Sequence, residues 1–169
     1  MTAARASTLL ISRVSTTGER LHGEPDFGAW LRLQQAVQRL DSVTVDLQLE
    51  RRGRVVLADG VLRIRGLLRC ERCLGAMPWE LRQDIQVGIA EAEATLAALD
   101  AQREVVLAPG GTLALQEWLE EEALLALPLL PRCAEWTSGA CPVSGVEVPS
   151  LDTSPYLLME KRDHGSSPE

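Results

Sequence analysis

Residues 61–81 read VLRIRGLLRCERCLGAMPWEL, and the fold turns on the period of this stretch. Leu62, Ile64 and Leu68 fall on one side of an extended chain, while Arg63, Arg65 and Arg69 fall on the other. That is the alternation of a half-buried strand with a basic outer face. Cys70 and Cys73 enclose Glu71 and Arg72, and the alternation resumes at Met77, Trp79 and Leu81 after Gly75 and Pro78. Two strands joined by a tight turn is the simplest reading. Such a turn brings two thiols together as candidate metal ligands.

Upstream, Val43, Val45, Leu47 and Leu49 alternate with Thr44, Asp46, Gln48 and Glu50, which predicts another strand. Arg51, Arg52 and Gly53 read as a turn, and Arg54 to Leu57 as the start of the next strand. Ala58, Asp59 and Gly60 read as a second turn, since Asp-Gly is a strong hairpin signal. At least four consecutive strands, running to about Ile89 without a helical pattern, predict an antiparallel meander. Ahead of them, Leu9 to Val14 reads as a first strand. Asp26 is placed to cap a helix of about four turns whose apolar side is Phe27, Trp30, Leu33, Val37 and Leu40.

Downstream, residues 91–102 are helix-prone and acidic. Thr112 is placed to cap a second helix through Leu127, with Leu115, Trp118, Leu119, Ala123 and Ala126 on its apolar side. Glu122 falls within that side, so it needs a partner such as an arginine or a place at the helix margin. Pro128 and Pro131 end the helix. The expected fold class is α+β: an antiparallel β-meander or partly closed barrel with an N-terminal amphipathic helix and a C-terminal acidic helix. Residues 1–148 read as one domain and 149–169 as a polar tail.

Composition bounds the function. The chain has 169 residues, 46% of them hydrophobic, enough to supply a core. No run of eighteen uncharged apolar residues could span a membrane, and the N-terminus lacks the apolar region of a secretory signal. A cytoplasmic protein is expected, whose four cysteines serve as reduced thiols or metal ligands. The net charge of -7 is divided unevenly: residues 1–90 carry 13 Arg against 10 Asp and Glu, and residues 91–169 carry 4 basic against 14 acidic.

Two constellations carry chemistry. Cys70 and Cys73 with Cys133 and Cys141 supply four thiolates, the count of a structural zinc site, with free buried thiols as the alternative. The second pair is set wider than a metal-binding turn, so its loop must fold back. Seven arginines between residues 51 and 72, namely Arg51, Arg52, Arg54, Arg63, Arg65, Arg69 and Arg72, form a candidate nucleic-acid-binding face. The rival is a solvated sheet face partnered by Asp46, Glu50 and the acidic second half. A redox role for the CxxC pair lacks the helix N-terminus that would activate it. His22 and His164 lie in polar surroundings and no nucleophile motif is present, so no active site is expected.

CERCLGAM at residues 70–77 and EALLALPLLPRC at residues 122–133, in this order and about fifty residues apart, resemble the YceD family of large ribosomal RNA subunit accumulation proteins. The resemblance spans most of residues 27–141. It implies a bacterial or plastid protein with a role in synthesis or processing of large-subunit ribosomal RNA and no established catalytic activity. Cys70, Cys73 and Arg72 match its first motif directly. Cys133 and Cys141 match less closely, because members often carry a closer-set second cysteine group. The expected function is a non-enzymatic ribosome-biogenesis factor that engages large-subunit ribosomal RNA or a precursor ribosomal particle. The alternative is an interaction module whose acidic helix, residues 113–127, meets a basic ribosomal protein.

Overall fold

The structure is a computed structural model that describes residues 2–3, 7–92, 103–133 and 139–148. The chain gathers into two compact units, Met1–Leu68 with Pro78–Leu129 and Arg69–Met77 with Leu130–Glu169. The proposed tail, residues 149–169, His164 and most of the helix-prone stretch 91–102 lie outside the described residues.

The first unit is built on a six-stranded sheet of order β1-β3-β4-β5-β6-β7. Its members are β1 (Thr2–Ala3), β3 (Glu19–Gly23), β4 (Arg39–Arg52), β5 (Val55–Arg69), β6 (Ala76–Ala90) and β7 (Glu104–Leu107). β3, β4 and β5 are antiparallel neighbours, whereas β1 on β3 and β7 on β6 are parallel. The sheet is open, with β1 and β7 as its edges, so the partly closed barrel is not formed. β2 (Thr8–Leu10) pairs with β8 (Thr112–Ala114) in a separate two-stranded ladder.

Period-two burial explains the central strands. Val43, Val45, Leu47 and Leu49 of β4, Val56, Leu62, Ile64 and Leu68 of β5, and Ile85, Val87 and Ile89 of β6 are all buried. Their neighbours on the outer side are mostly polar and exposed, as alternation on a half-buried sheet requires. The Asp59-Gly60 turn does not exist. β5 runs unbroken from Val55 to Arg69, with Asp59 opposite Gln48 and Gly60 opposite Leu47. A Cβ at Gly60 would stand 2.1 Å from the carbonyl oxygen of Asp46, so glycine is there because two backbones approach closely, not because the chain reverses. Gly53 and Arg54 make the two-residue reversal that joins β4 to β5, and three long strands replace the expected four or more.

The N-terminal helix is also shorter than its apolar stripe suggests. Phe27–Ala29 is a 3₁₀ turn and α1 covers only Leu31–Ala36. Trp30, Leu33 and Val37 are buried as the stripe requires. Gln38 N–H, however, donates to the Leu67 carbonyl at 2.9 Å, and Arg39 already pairs with Leu67 in the sheet. Strand pairing thus ends the helix before Leu40, and Asp26 makes no side-chain capping bond. Near the N-terminus the expected strand is confined to β2, and Ile11–Arg13 forms a 3₁₀ turn.

The acidic helix, α2, covers Leu115–Leu125. Thr112 belongs to β8 rather than to the cap, because residues 112–114 are held by β2 and Leu115 N–H donates to the Ser7 carbonyl. Leu115, Trp118, Leu119 and Ala123 are buried on α2, which packs against α1. Glu122 is buried too, and its partner is not an arginine: Trp118 Nε1–H donates to its Oε1 at 2.8 Å, one turn earlier on the same helix. No helix among the described residues is long and apolar enough to cross a membrane.

In the second unit, β9 (Gly139–Ala140) and β10 (Glu147–Val148) form an antiparallel pair around the loop that begins at Cys141. The other loop of this unit leaves Arg69 at the end of β5 and returns at Ala76, the start of β6.

Candidate metal centre

The turn after β5 is fixed by its own backbone. Cys70 N–H donates to the Gly75 carbonyl at 2.9 Å, and Leu74 N–H donates back to the Cys70 carbonyl at 2.8 Å. Leu74 takes a left-handed conformation, φ 61°, to close it. A second strand-flanked turn repeats this pattern: Cys141 N–H donates to the Val146 carbonyl at 2.8 Å, Gly145 N–H to the Cys141 carbonyl at 2.7 Å, and Gly145 has φ 71°. Residues 131–133 join the first turn through Glu71 N–H, which donates to the Pro131 carbonyl at 2.8 Å.

These three pieces bring all four cysteines into one buried cluster, with Met77 packed against it. All four are free thiols. The sulfurs of Cys70, Cys73 and Cys133 lie within 4.8 Å of one another and could hold a metal ion. Cys141 is buried in the same cluster, outside that group of three close-set sulfurs. Tetrahedral zinc with bonds of about 2.3 Å to sulfur would set two sulfurs about 3.8 Å apart. The Cys73 and Cys133 sulfurs stand 3.9 Å apart, so the donor set fits such an ion.

Electrostatics favours the same use. Burial alone would raise the Cys70 thiol, but backbone N–H groups of Cys73, Cys133 and Arg72 point at its sulfur and bring its pKa down to about 6. Cys141 is likewise brought to about 6: burial opposes ionisation, and the Ser144 hydroxyl with the N–H groups of Ser144 and Val143 outweighs it. Cys133 moves the other way, raised by burial and by its three thiol neighbours. Two ready thiolates in one buried cluster leave negative charge that a cation would balance, and binding would release the protons still held there. Cys70 is fully buried at the foot of a turn, which removes the exposure a thiol nucleophile needs.

The seven arginines differ in their partners. Arg52 pairs with Glu50, Arg54 with Glu91 and Arg65 with Glu80. Arg51 leaves that set, donating instead to the Val14 and Gly53 carbonyls. Arg63 and Arg69 are exposed and make no ion pair among the described residues. Arg72 is exposed on the first cysteine turn. Arg20 and Arg63 line an open groove with Asp46, Gln48 and Asp59, in which Arg20 is bonded to Asp46 and Arg103 to Asp59. His22 sits beside the same carboxylate, 3.9 Å from Asp46.

A family model described as large ribosomal RNA subunit accumulation protein YceD matches residues 58–168, about two thirds of the chain. The chain belongs to the YceD family. The region matched to YceD holds all four cysteines with Arg63, Arg65, Arg69 and Arg72, and begins after Arg51, Arg52 and Arg54. The family's description ties the chain to accumulation of large-subunit ribosomal RNA. No curated protein and no solved structure matches it. Within this YceD chain, one residue of the cluster escapes a search for cysteine spacing: Ser144, whose hydroxyl lies 3.1 Å from the Cys73 sulfur. The signal that finds it is CPVSG at residues 141–145, which repeats the shape of CERCL with serine in place of the second cysteine.

Proposed function

We propose that this chain is a non-enzymatic factor in the making of large-subunit ribosomal RNA, which binds that RNA or a precursor particle. The observation that carries the reading is the surplus charge at Arg63. In the groove it lines, each aspartate is already matched by an arginine of its own, Asp46 by Arg20 and Asp59 by Arg103. Arg63 is exposed, with no carboxylate in ion-pair range among the described residues although its charge is felt at Asp46, and an RNA phosphate is an anion it suits. The ion pairs of Arg52, Arg54 and Arg65 are solvent-exposed, so exchanging their carboxylates for phosphates costs little. In the thiol unit Arg69 offers a second exposed guanidinium with no ion pair among the described residues.

Zinc held by Cys70, Cys73, Cys133 and Cys141 would be structural, since four thiolates leave no open position for a reacting group. Its contribution is to fix the two turns and residues 131–133 in one arrangement. The alternative, capture of a basic ribosomal protein by α2, has weaker support. Of the four glutamates on α2, Glu120 and Glu122 are buried and Glu121 pairs with Arg32, leaving Glu117 as the one exposed glutamate of the helix with no ion pair among the described residues.

Binding of large-subunit ribosomal RNA by the natural chain and by an Arg63→Ala, Arg65→Ala, Arg69→Ala variant, measured over a range of salt, tests the reading. The variant should bind more weakly, with a salt slope smaller by roughly 1 for each phosphate that is no longer neutralised. Unchanged binding by a folded variant would exclude these arginines. Retention of a ribosomal partner after nuclease treatment would favour the acidic helix instead.

A further inference from the structure

The two turns of the thiol unit correspond position by position. Cys70 and Cys141 open them, each donating its N–H to the carbonyl five residues on and accepting from the N–H four residues on. Leu74 and Gly145 occupy the left-handed position at φ 61° and 71°. At the position between, three residues after the opening cysteine, the first turn has Cys73 and the second has Ser144. The correspondence extends to direction, because the Ser144 hydroxyl reaches the Cys73 sulfur at 3.1 Å. It is aimed into the cluster where a second cysteine of that turn would be.

A serine hydroxyl is a poor partner for a soft cation, so the paired turns supply three thiolates where a closed zinc site takes four donors. Cys133 lies in neither turn. Its sulfur is nonetheless 3.9 Å from that of Cys73, and its N–H donates to the Cys70 sulfur at 3.3 Å. We infer that the thiol unit is a paired-turn metal centre in which Ser144 holds the position of the missing fourth ligand and Cys133 is the substitute brought in from outside both turns. Ser144 is then a positioning residue. Its hydroxyl lies 3.1 Å from the Cys73 sulfur, a contact in which either atom can donate, while its oxygen also receives the Val146 N–H at 3.4 Å. This rests on the zinc reading above and goes beyond it by assigning which donor replaces which.

The test is zinc content, and the spectrum of cobalt-loaded protein, for four chains: natural, Cys133→Ser, Ser144→Cys, and Cys133→Ser with Ser144→Cys. The natural chain should hold zinc with four sulfur donors, Cys133→Ser should lose it or bind with fewer sulfurs, and the double variant should regain four-sulfur binding. In metal-loaded Ser144→Cys the new thiol should take the fourth position, so that Cys133 is released and becomes open to alkylation, a readout independent of whether Cys133→Ser folds. A natural chain that binds zinc, with a double variant no better than Cys133→Ser, would overturn the correspondence and leave the zinc reading standing. So would a Ser144→Cys chain whose new thiol alone alkylates. A folded natural chain that binds no zinc would overturn both.

Discussion

The Glu120 carboxylate on α2 accepts the backbone N–H of Leu33 at 3.0 Å and Arg32 Nε–H at 3.2 Å. One helix thus closes the first turn of another, whose own preceding residue, Trp30, offers no side-chain cap. A helix of six residues cannot stand without such help. Because Glu120 is buried, removing it strands the Leu33 N–H. Glu120→Ala should lower stability by about 2–3 kcal/mol in urea denaturation, the worth of a hydrogen bond to a charged group. Glu120→Gln, which keeps an acceptor, should lose less.

Glu122 predicts a pH dependence. Burial is the main cause that raises its pKa, Glu104 and Glu121 add to it, and the Trp118 indole N–H partly opposes it. An acid whose folded pKa is raised contributes stability that is complete below the ordinary carboxylate value and is lost as pH rises through the raised one. Glu122→Gln removes that loss and still accepts from Trp118. The Tm advantage of the variant over the natural chain should therefore grow between pH 4 and pH 7. An advantage that stays level across this range would mean the carboxyl is not carrying the strain.

Gly60→Ala separates a close backbone approach from a turn. Its new methyl would meet the Asp46 carbonyl oxygen at 2.1 Å in the middle of the β4–β5 ladder. The expected cost is about 3 kcal/mol, as for other overpacked interior positions, and would be read from thermal unfolding. A turn at residues 58–60 would exact only the cost of a positive φ, about 1–2 kcal/mol.

Ser144→Ala tests the positioning role at the thiol cluster. Loss of the hydroxyl behind the Cys73 sulfur should weaken zinc affinity by about ten-fold or more, as for other outer partners of metal ligands, while leaving the number of sulfur donors unchanged. Competition with a chromophoric chelator measures the first and the cobalt spectrum the second.

What the sequence discloses follows from the range of each interaction. The buried faces of β4, β5 and β6 are legible because alternation is a local rule that the sheet obeys. Gly60 misleads because the same residue serves a reversal and a close approach, and only the partner strand decides between them. The length of α1 depends on Leu67, about thirty residues away, which takes the N–H of Gln38. Part of the charge pairing is within reach: Arg52 with Glu50, Arg39 with Asp41 and Arg82 with Asp84 are two residues apart on one side of a strand. Arg65 with Glu80 and Arg54 with Glu91 need the sheet. The cysteines announce themselves, whereas Ser144 becomes visible once its turn is seen to copy another.

Cys73 and Cys133, whose sulfurs meet in the cluster, are 60 residues apart in the chain. Joining them through an ion would remove about 4 kcal/mol of loop entropy from the unfolded ensemble, as a covalent link of that span does. The same separation sets a clock during synthesis. At roughly 5–20 residues per second, the first two thiols emerge about 3–12 s before the third. The clasp therefore closes late, after the chain from Pro78 to Leu129 has been made.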